Sequence, residues 1–207
     1  MFLAVVITFF SILLIIYVTV LLFSKEFVGK PEKYKSSRSA PEEFLIKKEN
    51  HTGVQSGPEC SGFSSAYVLR HYGIQADGLK VYEALPKALK DGAVVPKGIV
   101  QFFTKEGFTI HYYTGSLKNL EEEISKGNPV IVLIRTSIDT NWLHYVPVVG
   151  YDKEYFYLAD SFSEKINTNA RYYNRIVSRD EFSRLWKTKR FYIPFLNNIF
   201  LVVEKND

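Results

Sequence analysis

One stretch restricts this chain before any other consideration. From Phe2 to Phe23, "FLAVVITFFSILLIIYVTVLLF" contains no charged residue, and an apolar run of that length crosses a hydrocarbon core of ~30 Å as a helix. Its β-branched and aromatic side chains suit lipid better than a solvated helix. The alternative, a cleaved signal peptide, calls for a basic start, a shorter apolar run and a small-residue cleavage site. Here no Lys or Arg precedes the run, and "LLFSKEF" closes it without an A-x-A. Residues 1–24 therefore read as an uncleaved single-pass anchor. Lys25, Lys30, Lys33, Lys35 and Arg38 follow it. The positive-inside rule then predicts a cytoplasmic location for the rest of the chain, with an outward-facing domain as the alternative.

Residues 25–48 are charged and carry Pro31, Pro41 and a serine cluster, which predicts a linker running along the membrane surface. From residue 49 to 207 the pattern is that of a single domain, and 14 Tyr and 16 Phe in the chain supply material for a core. The net charge of +4 is scattered and forms no basic patch, so nucleic acid is not an expected partner. The single cysteine excludes an internal disulfide and a C-x-x-C zinc site, and no cofactor is expected.

Apolar spacing predicts a helix in "SGFSSAYVLRHY" that stops at Gly73, a shorter one in "GLKVYEALPKAL", and a third from Pro96 to Gly107. A strand at "FTIHYYTG" follows, then a capped helix from Ser116 to Gly127 and a buried strand at "PVIVLIRT". "HYVPVVGYDKEYFYLADS" reads as a hairpin about Asp152 and Lys153, "SRDEFSRLWK" as a helix with a capping box, and "NNIFLVVEK" as a closing strand. Helices first and antiparallel strands later is an α+β order.

Cys60 lies in "QSGPECSGFSSAYVLRHYG", directly after chain-breaking residues and at the start of the first predicted helix of the domain. Unpaired N–H groups at a helix start favour a thiolate, although a lone cysteine also serves as a small core residue. A thiol nucleophile needs a base and a group that orients the base. Among four histidines, His71 is about three turns along the same helix, His51 is in the entry loop and His111 is in a short strand. His144 begins the hairpin, and residues 144 and 160 are symmetric about Asp152. A tight turn places His144 and Asp160 opposite or nearly opposite each other, where Cβ atoms sit ~4.5–5.5 Å apart.

Three segments, "ECSGFSSAYVLRHYGI", "NPVIVLI" and "HYVPVVGYDKEYFYLADS", resemble the signatures of the bacteriocin-processing, double-glycine-type cysteine peptidases, a bacterial branch of the papain-like fold. The resemblance spans residues 51 to about 190. It implies a papain-like cysteine peptidase fold, with N-terminal helices packed on an antiparallel sheet. It also implies Cys60 as nucleophile, His144 as base and acid, Asp160 as orienting carboxylate, and Gln55 as the oxyanion-hole amide. A carboxylate that pins the Nδ1–H of His144 predicts Nε2 toward the thiol. Glu59, where the family usually has Asp, is implied to be structural. The sequence departs from the family in having Ser61 after the cysteine, in a Gln55 one residue closer to it, and in lacking a G-x-x-x-x-G-K-[ST] motif.

The function expected is a membrane-anchored cysteine peptidase acting on a peptide or protein, with a separate exporter as a further partner. A peptide-binding module without chemistry, or acyl transfer with the same triad, are the alternatives.

Overall fold

The computed structural model describes residues 2–87, 90–191 and 193–206. Helix α1, Phe2–Val28, contains one stretch, Val5–Val28, that is long and apolar enough to cross a membrane. From Val5 onward most of its apolar side chains are exposed until its last turns, where Val28 is buried in the core of the domain and Lys97 Nζ donates to both the backbone carbonyl and the carboxylate of Glu26.

The segment expected to be a charged linker is built into the domain instead. Strand β1, Glu32–Lys33, pairs with the later strand Phe108–Thr114, and β2, Phe44–Leu45, pairs with the strand Leu143–Tyr151. Charge dominates the composition of residues 25–48, but Tyr34 and Ile46 are buried, and those two side chains dock the segment. The helices α2, Cys60–His71, α3, Gly78–Ala84, and α4, Pro96–Lys105, follow. Gly73 and Gly107 take positive φ just beyond α2 and α4, as the sequence predicts for helix stops. Helix α3 is shorter than its pattern suggests, because Leu85 turns to extended backbone before Pro86. The predicted continuation to Ala88 and Leu89 lies outside the described residues.

The sheet continues with β3, Phe108–Thr114, and β4, Val130–Arg135, separated by α5, Leu117–Ile124. Then come β5, Leu143–Tyr151, β6, Tyr155–Leu158, β7, Arg175–Ser178, α6, Arg179–Trp186, and β8, Ile199–Lys205. Strand order is β1-β3-β8-β4-β5-β6-β7, antiparallel except for the β1–β3 pair, and β2 continues beside the far end of β5.

Both faces of this sheet are covered, and residue parity sorts them. Ile131, Leu133, Leu201 and Val203 pack with α2, α3 and α4 through Val68, Leu69, Val81, Ile99 and Phe103. Val130, Val132, Ile134, Phe200 and Val202 pack with α5 and α6 through Leu120, Ile124, Phe182, Leu185 and Trp186. Period-two alternation explains why β4 and β8 read as unbroken apolar runs. Full burial of each large side chain contributes about 1.5–3 kcal/mol. The fold is α+β, with helices packed on both faces of a mainly antiparallel sheet. Gly62 permits the approach of α2 to α3: a Cβ there would stand 2.4 Å from the Gly78 carbonyl oxygen and 2.4 Å from Tyr82 Cβ.

Candidate active site

Cys60 is the first residue of α2 and is half-buried. Pro58 and Gly57 keep the preceding chain out of helix, and Glu59 stands at the cap with no side-chain bond into the helix. The Glu59 carboxylate instead turns back to accept the Gly57 N–H at 2.6 Å and the Ser56 hydroxyl at 3.4 Å. The helix start is left with its own N–H groups, which favour negative charge on the sulfur. Deeper in α2, the Ser64 hydroxyl donates to the Tyr145 carbonyl at 2.9 Å, and the Tyr145 hydroxyl donates to Val94 at 3.0 Å. These buried bonds fix the helix against the strand that carries the next residue, His144.

His144 is 2% exposed and Asp160 is fully buried. His144 Nε2 donates to Asp160 Oδ1 at 2.8 Å, and Cys60 is near enough to favour the charged imidazole. With Nε2 committed to the carboxylate, Nδ1 is the atom left for the thiol, the reverse of the expected ring assignment. The meeting of His144 and Asp160 also differs in register from the expectation. Beyond the turn Tyr151 pairs with Phe156 and Gly150 with Tyr157, but a bulge follows and Val148 pairs with Leu158. The Ala159 N–H then reaches the Pro147 carbonyl, so Asp160 falls beside Val146 and meets His144 diagonally. The hairpin's symmetry centre is therefore not Asp152, whose carboxylate instead organises the turn by accepting from Glu154 N–H, Tyr155 N–H and the Tyr157 hydroxyl.

Asp160 has more partners than the sequence suggested. Its Oδ1 also accepts the Phe162 N–H at 2.8 Å, and its Oδ2 accepts Arg175 Nη1 at 2.8 Å. The Asn174 side chain clasps the Asp160 backbone from both sides, accepting from its N–H at 2.7 Å and donating to its carbonyl at 2.8 Å. Arg175, 4% exposed, begins β7 opposite Leu158. Neither β7 nor Arg175 was picked out from sequence. The signal available was one arginine at the head of the short alternating run "RIVS".

Desolvation opposes charge on both partners of the His144–Asp160 contact. On His144 it is outweighed by the Asp160 carboxylate and by Cys60, which push the imidazole up to about 10. On Asp160 it is outweighed by His144, Arg175 and the Phe162 N–H, which hold the carboxyl at about 2. The pair is thus ionised as an imidazolium and a carboxylate.

Gln55 reaches the same place from the entry loop. Its backbone N–H donates to the Ser161 carbonyl at 2.9 Å, and its Oε1 accepts the Ser161 hydroxyl at 2.7 Å. Gln55 Nε2 donates to the Gly57 carbonyl at 2.7 Å, which occupies one of the two amide hydrogens. The structure therefore brings Cys60, His144, Asp160 and Gln55 together from three stretches of chain, the first holding both Gln55 and Cys60. His111 lies elsewhere, 3.8 Å from Glu204 and stacked on Tyr113. Among the described residues no group of His, Cys, Asp and Glu side chains is arranged to hold a metal ion.

A thiol at a helix start, a buried imidazolium and an orienting carboxylate form the arrangement that nucleophilic cysteine chemistry requires. The model of the Peptidase_C39 like family matches residues 45–193. No curated protein matches the chain. Solved structures do. The peptidase domain of Streptococcus ComA, a bifunctional ABC transporter involved in a quorum-sensing pathway, aligns with a TM-score of 0.58 at 16% identity, covering 77% of this chain and all of that one. A double-glycine-motif protease from an AMS/PCAT transporter, in complex with the leader peptide, aligns at 0.54 and 17%, covering 78% and 97%. Xylellain, a cysteine protease from Xylella fastidiosa, aligns at 0.53 and 12%, covering 86% and 92%. At these identities the likeness is one of fold.

Proposed function

This chain belongs to the Peptidase_C39 like family, whose members have a cysteine-peptidase fold, and we propose that it hydrolyses peptide bonds at the bilayer, with Cys60 as nucleophile, His144 as base and acid, and Asp160 as the orienting group. The observation that carries the proposal is the buried imidazolium–carboxylate contact of 2.8 Å beside the only thiol in the chain.

In this mechanism Asp160 fixes the imidazole through Nε2 and stabilises its positive charge, so the proton of Cys60 resides on Nδ1 and the sulfur attacks as thiolate. The sulfur bonds to the scissile carbonyl carbon, and negative charge develops on its oxygen. The Cys60 N–H at the helix start and the second Gln55 amide hydrogen are suited to receive that charge, a type of interaction for which each donor contributes about 3–4 kcal/mol. Nδ1 then returns the proton to the leaving amine, leaving a thioester. Water, deprotonated by the same nitrogen, releases the acid and the thiol.

Residues 1–24 serve in this reading as the anchor, 25–48 as the segment that joins it to the sheet while packing along it, and 49–207 as the part that carries the site residues, facing the cytoplasm because the basic residues follow the apolar run. Peptides of the leader type are the first substrates to try, given the leader-peptide complex of the structural neighbour, and a separate exporter is the partner such a substrate would need. The test is turnover of a fluorogenic peptide library by the full chain in detergent, with Cys60→Ser as the control. Turnover abolished by Cys60→Ser with circular dichroism unchanged supports the proposal. Peptide binding without turnover, and no labelling of Cys60 by iodoacetamide, would assign the chain to the binding-module alternative.

A further inference from the structure

The domain's most exposed aromatic side chains are gathered on one side of it. Trp142 is 72% exposed on the loop between β4 and β5, and Phe191 is 79% exposed on the loop between α6 and β8. The two loops touch, since the Arg190 guanidinium donates to the carbonyl of Asn141, the residue before Trp142. Leu143, Ile193 and Phe195 tie both loops to the core that also takes in Phe27 and Val28 of α1. The Phe191 ring stacks on Tyr17 of α1, with centroids 4.9 Å apart and planes at 30°.

That last contact sets a depth. Tyr17 precedes Phe23 by six residues, about 9 Å of helix rise, so it lies well within the uncharged run, and whatever stacks on it lies at the same level. Lys187 and Lys189, both exposed, flank the Phe191 loop. Aromatic side chains beside lysines and a transmembrane helix match the composition of protein surfaces that sit among lipid headgroups, and the lysines select an anionic surface.

We propose that the Trp142 and Phe191 loops are immersed at the boundary between headgroups and acyl chains of an anionic bilayer crossed by α1, which holds the domain flat on the membrane rather than free above it. His144 is two residues beyond Trp142, so the strand that carries the candidate base starts beside that layer, and peptides adsorbed on the bilayer are the substrate class the proposal favours. The inference rests on α1 being a membrane anchor.

The chain's two tryptophans provide the test, because Trp186 is fully buried and Trp142 is not. The full chain is reconstituted in phosphatidylcholine–phosphatidylglycerol vesicles containing lipids with nitroxide at a shallow or a deep position. Trp142 emission should be quenched, more by the shallow than by the deep label, while aqueous iodide quenches it little. Trp142→Phe should remove the quenchable component and leave the Trp186 emission. Phe191→Ser, a change at an exposed position, should weaken the nitroxide quenching without altering flotation. Flotation after an alkaline wash, combined with a Trp142 quenched by iodide and untouched by nitroxide, would overturn the proposal and leave the anchor intact. Failure to float would overturn the anchor and the proposal together.

Discussion

Two buried carboxylates in this domain have been driven to nearly the same acidity by different means. Asp160 and Glu122 both lie at about 2, in each case against a desolvation that pushes the other way. Asp160 is held down chiefly by charge: His144 on one oxygen and Arg175 on the other. Glu122, on α5, is held down by neutral donors alone among its hydrogen bonds. It accepts the Ser36 hydroxyl at 2.6 Å, the Ser37 hydroxyl and N–H at 2.9 Å, and the Arg38 N–H at 3.0 Å. The first arrangement stabilises a neighbouring cation and suits chemistry. The second fastens a passing segment of chain and suits architecture. Acidity alone does not mark a catalytic carboxylate; the identity of its donors does.

The sharpest way to break this comparison is Asp160→Asn. It leaves the Arg175 guanidinium buried without its counter-charge, and breaking a buried pair costs about 3–5 kcal/mol. Urea unfolding of the detergent-solubilised chain should show that loss. Peptide turnover should fall as well, by less than the ~10⁴-fold seen when a serine triad loses its aspartate charge. Because Arg175 shares the carboxylate, the change affects stability as well as rate. Adding Arg175→Leu to Asp160→Asn should recover part of the stability and none of the turnover, a non-additivity that a double-mutant cycle measures.

Glu122→Gln sharpens the other side. Hydrogen bonds to a charged group contribute about 1.5–3 kcal/mol, so the unfolding midpoint should drop by roughly that equivalent while kcat stays at the parent value. A fall in kcat would place the Ser36–Arg38 clasp in the catalytic machinery and dissolve the contrast. Asp152→Asn, at the hairpin turn, should cost about 1 kcal/mol by the same principle and leave rate untouched.

The gentlest probe is pH. Both carboxyls are depressed, so the stability each contributes is complete above its unfolded value, 3.8 for Asp160 and 4.5 for Glu122, and is lost as pH falls through about 2. His144 is raised, so its contribution is complete below 6.5 and is lost as pH rises through about 10. Only the Asp160 site therefore weakens on the alkaline side. A thermal-shift series from pH 7 to 10.5 should decline in the parent, and the decline should be shallower in Asp160→Asn and unchanged in Glu122→Gln.

Some of this organisation was legible in the chain and some was not. Helices α2, α4 and α5 and strands β3, β4 and β8 follow from apolar period, caps and the stop glycines at 73, 107 and 127. The hairpin was legible but its register was not, because the bulge between Val148 and Gly150 depends on the neighbouring β2: a Cβ on Gly150 would stand 2.7 Å from the Phe44 carbonyl oxygen. Arg175 could not be singled out, since what makes it important is Asp160, 15 residues earlier, and the loop that folds back between them. The ordering of residues 29–46 was hidden for a similar reason. Its charged composition describes solvent exposure, while its docking depends on two side chains and on a glutamate far away in sequence.

The route of those residues determines how the domain carries load. In the proposed anchored state, a pull between bilayer and domain enters at the end of α1 and meets the Glu26–Lys97 clasp and the buried Val28. Next come the parallel β1–β3 pair, the Tyr34 hydroxyl on Glu123 at 2.6 Å, and the clasp of Ser36 to Arg38 on Glu122. Only after these does tension reach β2, and through it β5, the strand that holds His144. The grips stand in series, each yielding before the next is strained. The leash is short, its slack is already taken up along the edge of the sheet, and along the covalent path from α1 the strand that holds His144 is the last of these elements to take up tension.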